Sequence, residues 1–285
     1  MGVNDMKLYQ YSTVYQYSTE VSFEVLTFPG GEKHVRIDNN CYYGNGGPWI
    51  IICDTLDSNG IMTLLLLVDA IQRVVDTSIE LTLKYFPYAR QDRVAVRGES
   101  LSVKVMADLI NSQKFSDVTI WDPHSDVTPA LLNNVLVITQ NSWYRKLVGR
   151  IGEIPALVSP DVGAIKKINS MGNPNVIIAN KKRDVVTGKI TNTELLNPIH
   201  KDLLGSTPLL VMDDICDGGR TFIELGKVLD KEYPDNKKYL FVTHGIFSNR
   251  EQFLELTRIY SRIFCANFIS TTIKTENFPD SLSLL

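Results

Sequence analysis

The chain has 285 residues, 44% of them hydrophobic and 21% charged, and a formal net charge of −3 from 29 basic and 32 acidic side chains. That length suits two domains of ordinary size or one large one. The near balance of charge excludes the strong basic bias of a nucleic-acid binder or a protein that lives on anionic membranes. The most apolar stretch, IMTLLLLV at residues 61–68, is too short to span a bilayer. Asp5, Lys7, Glu20 and Glu24 interrupt any signal-like run near the start, and Gly2 is followed by Met6 where a myristoylation signal needs Ser or Thr. Four scattered cysteines (Cys41, Cys53, Cys216, Cys265) form no CxxC pair, which fits reduced thiols. A cytoplasmic protein is expected, with no nucleic acid and no membrane as partner.

In chain order, short apolar runs predict strands at 50–53, 81–86, 118–121, 135–138, 156–159, 176–179, 209–212, 240–243 and 263–266. Helical spacing of apolar residues predicts helices at 61–75, 103–111, 142–150, 165–170 and 221–230. Strands alternating with helices mean an α/β fold built on parallel sheet. The stretch TQNSWYRK, residues 139–146, is a natural boundary, so the expected domains are 1–139 and 140–285, each with a mostly parallel sheet flanked by helices. Ligands of such sheets sit at the carboxyl ends of strands, which directs attention to the strand-ending turns.

One such turn is KYFPYARQDRVAVRGE, residues 84–99, with Arg90, Arg93 and Arg97 ahead of an amphipathic helix. Guanidinium groups pair with phosphate oxygens in a fork, so three of them suit a polyphosphate; read alone, the run is also a solvated charged loop. Another turn is DDICDGGRT, residues 213–221. Its glycines bare backbone N–H groups to a phosphate at a helix start, with Thr221 placed to cap the helix. Asp213 and Asp214 are fit to accept hydrogen bonds from sugar hydroxyls or to hold a divalent cation through water. Phosphate, sugar and metal together describe a phosphorylated ribose.

These segments, with FPGGE at 28–32, SPDVG at 159–163 and VTHGIFS at 242–248, come in the order and at roughly the spacing of the ribose-phosphate pyrophosphokinases (PRPP synthetases), which the chain resembles from residue 28 to residue 273. The resemblance implies two tandem phosphoribosyltransferase-like domains. It also implies transfer of the β,γ-diphosphate of Mg·ATP to the anomeric hydroxyl of a ribose phosphate, with AMP released. By the same resemblance Arg90 and Gln91 contact ATP, while Phe28, Gly30, Gly31 and Glu32 belong to the ATP site of a neighbouring subunit. A homo-oligomer follows, a dimer or a hexamer built of dimers. His124 of WDPHS and Asp161 match magnesium-holding positions, and Lys181 and Arg183 of NKKRD match a basic pair that stabilises the transferring diphosphate. Asp213 and Asp214 match positions facing the ribose hydroxyls, and Asp217, Gly218, Gly219, Arg220 and Thr221 match the 5′-phosphate loop.

The departures are specific. The family's loop reads D-T-x-G-T, whereas here Gly218 replaces the first threonine and Arg220 a glycine. A plain 5′-monophosphate loses one donor by that exchange, and a larger, more anionic 5′ substituent gains a cation. The acceptor is therefore ribose 5-phosphate or an extended ribose such as ADP-ribose. Gly30 stands where Asp or Asn is usual, Ala164 replaces a second glycine, and SDVTPALL (125–132) replaces a stretch of the family's regulatory anion site. Two rival readings stay in view. A phosphoribosyltransferase that consumes PRPP explains DDICDGGRT but not YFPYARQDR. An inactive regulatory homologue has no physical need for Lys181, Arg183, His124 and Asp161 together.

Overall fold

The computed structural model describes residues 12–16, 19–37, 48–183, 190–273 and 282–285. Gly2, Asp5, Met6, Lys7 and Cys41 lie outside the described residues. The chain divides into two compact units, Met1–Ile138 and Thr139–Leu285.

In the first unit, β1 (Ser12–Gln16), β2 (Thr19–Val21), β3 (Phe23–Thr27), β4 (Lys33–Ile37) and β5 (Trp49–Cys53) precede α1 (Ser58–Gln72). Then follow β6 (Ile79–Leu83), α2 (Ser102–Ser112), β7 (Asp117–Trp121), α3 (Val127–Leu131) and β8 (Val135–Ile138). Six strands form one sheet in the order β2-β1-β5-β6-β7-β8. The last four run parallel, and β1 lies antiparallel to β5. Strands β3 and β4 form a separate antiparallel hairpin that packs against α1. The core is the alternate residues of the strands (Trp49, Ile51, Leu81, Leu83, Ile120) against Leu67, Ile71, Met106 and Ile110 of the helices, all 1% exposed or less. A fully buried leucine or isoleucine is worth about 1.5–3 kcal/mol against its exposed state.

The second unit holds α4 (Asn141–Ile151), β9 (Ala156–Ser159), a 3₁₀ turn (Val162–Ala164), α5 (Ile165–Asn169), β10 (Val176–Arg183), β11 (Ile190–Leu195) and α6 (Lys201–Leu204). It continues through β12 (Leu209–Cys216), α7 (Arg220–Glu232), β13 (Lys238–Gly245), α8 (Arg250–Ile259), β14 (Arg262–Phe268) and β15 (Leu282–Leu284). Its sheet runs β11-β10-β9-β12-β13-β14-β15, parallel except for β11. From β9 the chain winds outward to β10, and from β12 it winds the other way to β13 and β14. The order therefore reverses between β9 and β12, the position where open α/β sheets bind ligands.

Both units are α/β with mostly parallel sheets and flanking helices, as the alternation of patterns predicts. Three local expectations are corrected. Asp213 and Asp214 lie inside β12, not in the turn after it, because the ladder to β13 continues as far as Cys216 and Gly245. Thr221 does not cap α7: Gly219 takes that position at φ 90° with no side-chain cap, and the helix begins at Arg220. A left-handed backbone suits glycine and penalises threonine. The helix expected at 61–75 begins at Ser58, because Asp57 accepts the Gly60 N–H at 2.7 Å and starts it one turn early.

No helix among the described residues is long and apolar enough to cross a membrane. Among the described residues Cys53, Cys216 and Cys265 are buried and in no disulfide.

Candidate active site

Strands β9 and β12 flank the reversal, and their carboxyl ends carry the acids. Asp161 follows β9 and caps the 3₁₀ turn, its Oδ1 accepting the Ala164 N–H at 3.1 Å. Its Oδ2 is 2.8 Å from Nζ of Lys181, which projects from β10 and is 11% exposed. Partial burial pushes the Asp161 carboxyl up, but the Lys181 ammonium and the N–H groups of Ala164 and Gly163 outweigh it and hold the acid below its ordinary range.

The two aspartates of β12 stay in contact, since their side chains share a hydrogen bond. Asp214 is buried with its Oδ2 3.8 Å from Nζ of Lys167 on α5. Asp213 turns toward the side of Asp161 and Lys181. Burial first, then the charges of Asp214 and Asp161, push its carboxyl well above the usual range, against the pull of Lys181. Its Oδ1 accepts the Asp214 N–H at 3.0 Å.

Beyond β12 the chain turns through Asp217, Gly218 and Gly219 into α7. Since no side chain caps this helix, its first N–H groups and the positive end of its dipole are left for an anion. Arg220 is exposed at the rim and Thr221 half-buried within the first turn. A Cβ on Gly219 would stand 2.9 Å from Leu256 Cδ1, so this turn needs glycine for space as well as for φ. Asp217 accepts a 2.6 Å hydrogen bond from Ser248 Oγ. Burial pushes the Cys216 thiol beneath this turn well above its ordinary value, which leaves it an inert core group.

In the first unit the candidate residues are exposed. Arg90, Gln91, Arg93 and Arg97 lie on the irregular segment after β6. There Gln91 N–H bonds the Tyr88 carbonyl at 2.9 Å, and Glu99 Oε2 gathers the N–H groups of Ala95 and Val96. His124 is exposed in the turn between β7 and α3. Phe28, 52% exposed, sits with Gly30, Gly31 and Glu32 at the tip of the β3–β4 hairpin. There Gly31, at φ 96°, donates to the Phe28 carbonyl at 2.8 Å. A Cβ on Gly30 would come within 2.5 Å of the Glu32 carboxylate, so an Asp or Asn there would have to displace Glu32. Arg183 ends β10, and only its backbone is described.

Sequence reasoning passed over four groups. Lys84, at the end of β6, pairs with Asp54 at 2.6 Å and lies 5.1 Å over the Trp121 ring, which ties three parallel strand ends together. Lys167 was legible as a basic residue one turn into the helix after SPDVG. Ser248 and Gln252 border the glycine turn, and the strand-end position of VTHGIFS pointed only to Ser248.

Residues 13–113 match the family described as the N-terminal domain of ribose phosphate pyrophosphokinase. The chain is 29% identical to the ribose-phosphate pyrophosphokinase of Thermosipho africanus over 280 residues, covering 92% of this chain and 81% of the relative. It is 27% identical to the enzyme of the same name from Thermococcus kodakarensis, covering 92% and 91%. The fold matches the crystal structure of phosphoribosylpyrophosphate synthetase from Mycobacterium smegmatis with a TM-score of 0.72 at 21% identity, over 93% of this chain and 86% of that one. The architecture is therefore two tandem phosphoribosyltransferase-like α/β domains. The similarity to ribose-phosphate pyrophosphokinases is spread over both units of the chain.

Proposed function

We propose that the protein is an active pyrophosphokinase that moves the β,γ-diphosphate of ATP to the anomeric hydroxyl of ribose 5-phosphate, giving PRPP and AMP for nucleotide and NAD synthesis. The observation that carries this reading is the reversal point of the second sheet. There Asp161, Lys181 and Asp213 converge beside an uncapped helix N-terminus, in a chain related along nearly its whole length to enzymes of that name.

Phosphoryl transfer asks a protein for positioning and charge neutralisation more than for covalent chemistry. Lys181, with Arg183, would meet the charge developing on the diphosphate. Asp213 and Asp214 would receive the ribose hydroxyls, and Asp217 to Thr221 the 5′-phosphate. Arg90 and Gln91 would bind ATP, and Phe28, Gly30, Gly31 and Glu32 would serve the ATP of a neighbouring copy in a homo-oligomer. The donor set fits magnesium: the Asp161 carboxylate is kept ionised and already faces a cation, the Lys181 ammonium. Asp161 is a candidate ligand in the second unit, and His124 is one in the first. Magnesium, when bound, would draw charge from the phosphate oxygens and so ease attack at phosphorus.

The test is AMP release from Mg·ATP with ribose 5-phosphate and ADP-ribose supplied separately. Ribose-dependent AMP release is expected; its absence with both acceptors would return the choice to a phosphoribosyltransferase or an inactive homologue. Exposed Arg220 at the rim of the loop, and the space at Gly218, favour a second reading in which ADP-ribose is the better acceptor.

A further inference from the structure

Three residues of the glycine turn are met in register by one stripe of α8 and its lead-in. Ser248 donates to the Asp217 carboxylate at 2.6 Å. Gln252 Oε1 stands 3.4 Å from where a Cβ on Gly218 would lie, and Leu256 Cδ1 2.9 Å from where one on Gly219 would lie. Residues 252 and 256 are four apart on α8 and share a face, and Ser248 reaches the same turn from just before the cap. The stripe is fixed, because α8 is locked to α7: Tyr260 donates to the Phe222 carbonyl at 2.7 Å and Lys227 pairs with Glu255 at 3.2 Å. Asn249 caps α8 by accepting the Gln252 N–H at 3.0 Å.

The three members differ in chemistry. Leu256 closes the turn from behind, and Ser248 orients Asp217. Gln252 is the polar member over the one open position, since among the described residues nothing else comes within 4 Å of a Cβ on Gly218. Its amide carries both a carbonyl and an N–H₂, and turning it over presents two donors in the same place. That space adjoins the free N–H groups at the start of α7.

We propose that Gln252 determines specificity for the 5′ end of the acceptor, its amide donating to the 5′-phosphoryl oxygens where Gly218 offers no side chain. This rests on the pyrophosphokinase reading and names the residue through which that site reads its substrate.

The test uses the full chain with Gln252→Glu and Gln252→Ala. Calorimetric binding of ribose 5-phosphate and the KM values of the AMP-release assay are read beside Tm. Glutamate caps a helix as well as glutamine, so Gln252→Glu should leave Tm and the KM for ATP unchanged. Placing an anion against the phosphoryl group should weaken ribose 5-phosphate binding roughly tenfold or more. Gln252→Ala should weaken it less, and adding Gly218→Thr to Gln252→Ala should restore it. Ribose 5-phosphate binding within about twofold of wild type in Gln252→Glu overturns the proposal, as does a parallel fall in Tm and ATP affinity, which marks Gln252 as a structural contact only. Wild type that binds ribose 5-phosphate but releases no AMP defeats the pyrophosphokinase reading and leaves the Gln252 comparison standing.

Discussion

The two units share a fold class and differ in how their strands are ordered. In the first, β5 to β8 lie side by side in chain order, and the order never reverses among its parallel strands. In the second, the order reverses between β9 and β12, and two strand ends open away from each other. The residues follow suit. Asp161, Lys181, Asp213, Asp214 and Asp217 gather at the strand ends in hydrogen bonds and ion pairs, and Arg90, Gln91, His124 and Phe28 differ from them in lying on exposed segments. A site fixed by its own protein is organised before substrate arrives.

That contrast breaks most sharply at Lys181. Lys181→Ala should lower kcat on the order of 10²–10³-fold with little change in KM, because its charge acts on the transition state. Arg90→Ala should instead raise the KM for ATP, roughly tenfold, with kcat nearer to wild type. Steady-state kinetics of the two variants side by side decide it, and near-normal turnover of Lys181→Ala would remove that residue from the chemistry. Mixing Glu32→Ala chains with Arg90→Ala chains sharpens the same comparison. If the hairpin tip serves a neighbour's ATP, the mixture should recover part of the activity that each variant lacks alone.

Stability offers a smaller version of the contrast. Gly219→Ala meets both a left-handed backbone and the Leu256 side chain and should cost about 2 kcal/mol or more in urea unfolding. Gly31→Ala, at φ 96° with nothing within 4 Å, should cost only the conformational part, about 1 kcal/mol. The smallest effect is electrostatic. Asp161 is depressed in the folded state, so its share of stability is present above the ordinary carboxylate value and lost as pH falls through the folded one. The Tm of wild type should therefore fall more steeply than that of Asp161→Asn below about pH 4.

Much of the second unit was legible because its signals are local: an apolar run, then acids, then glycines. The first unit's early strands were not, since STVYQ and KHVRI alternate apolar and polar residues too briefly to stand out, and their pairing is long-range. Helix α8 was hidden by NREQFLEL, whose charged start masks Phe253 and Leu256. The acid pair illustrates the limit at the site itself. Adjacent aspartates read as part of the turn, yet the ladder to β13 keeps them in a strand, where Asp214 meets Lys167 and Asp213 meets Asp214. Gln252 carried no sequence signal because its role depends on the register of α8 against a turn more than thirty residues earlier.

Asp213 is the acid whose burial among like charges favours its neutral form. A partner that needs this carboxylate charged works against that bias, so its binding should release a proton at a pH where an ordinary aspartate has none to give. The heat of binding would then depend on the buffer that catches the proton, tracking the buffer's ionisation enthalpy, and that dependence should vanish in Asp213→Asn. By the same linkage the group favours folding at low pH and loses that contribution as pH rises through its raised folded value, so Asp213→Asn should also raise Tm near neutrality.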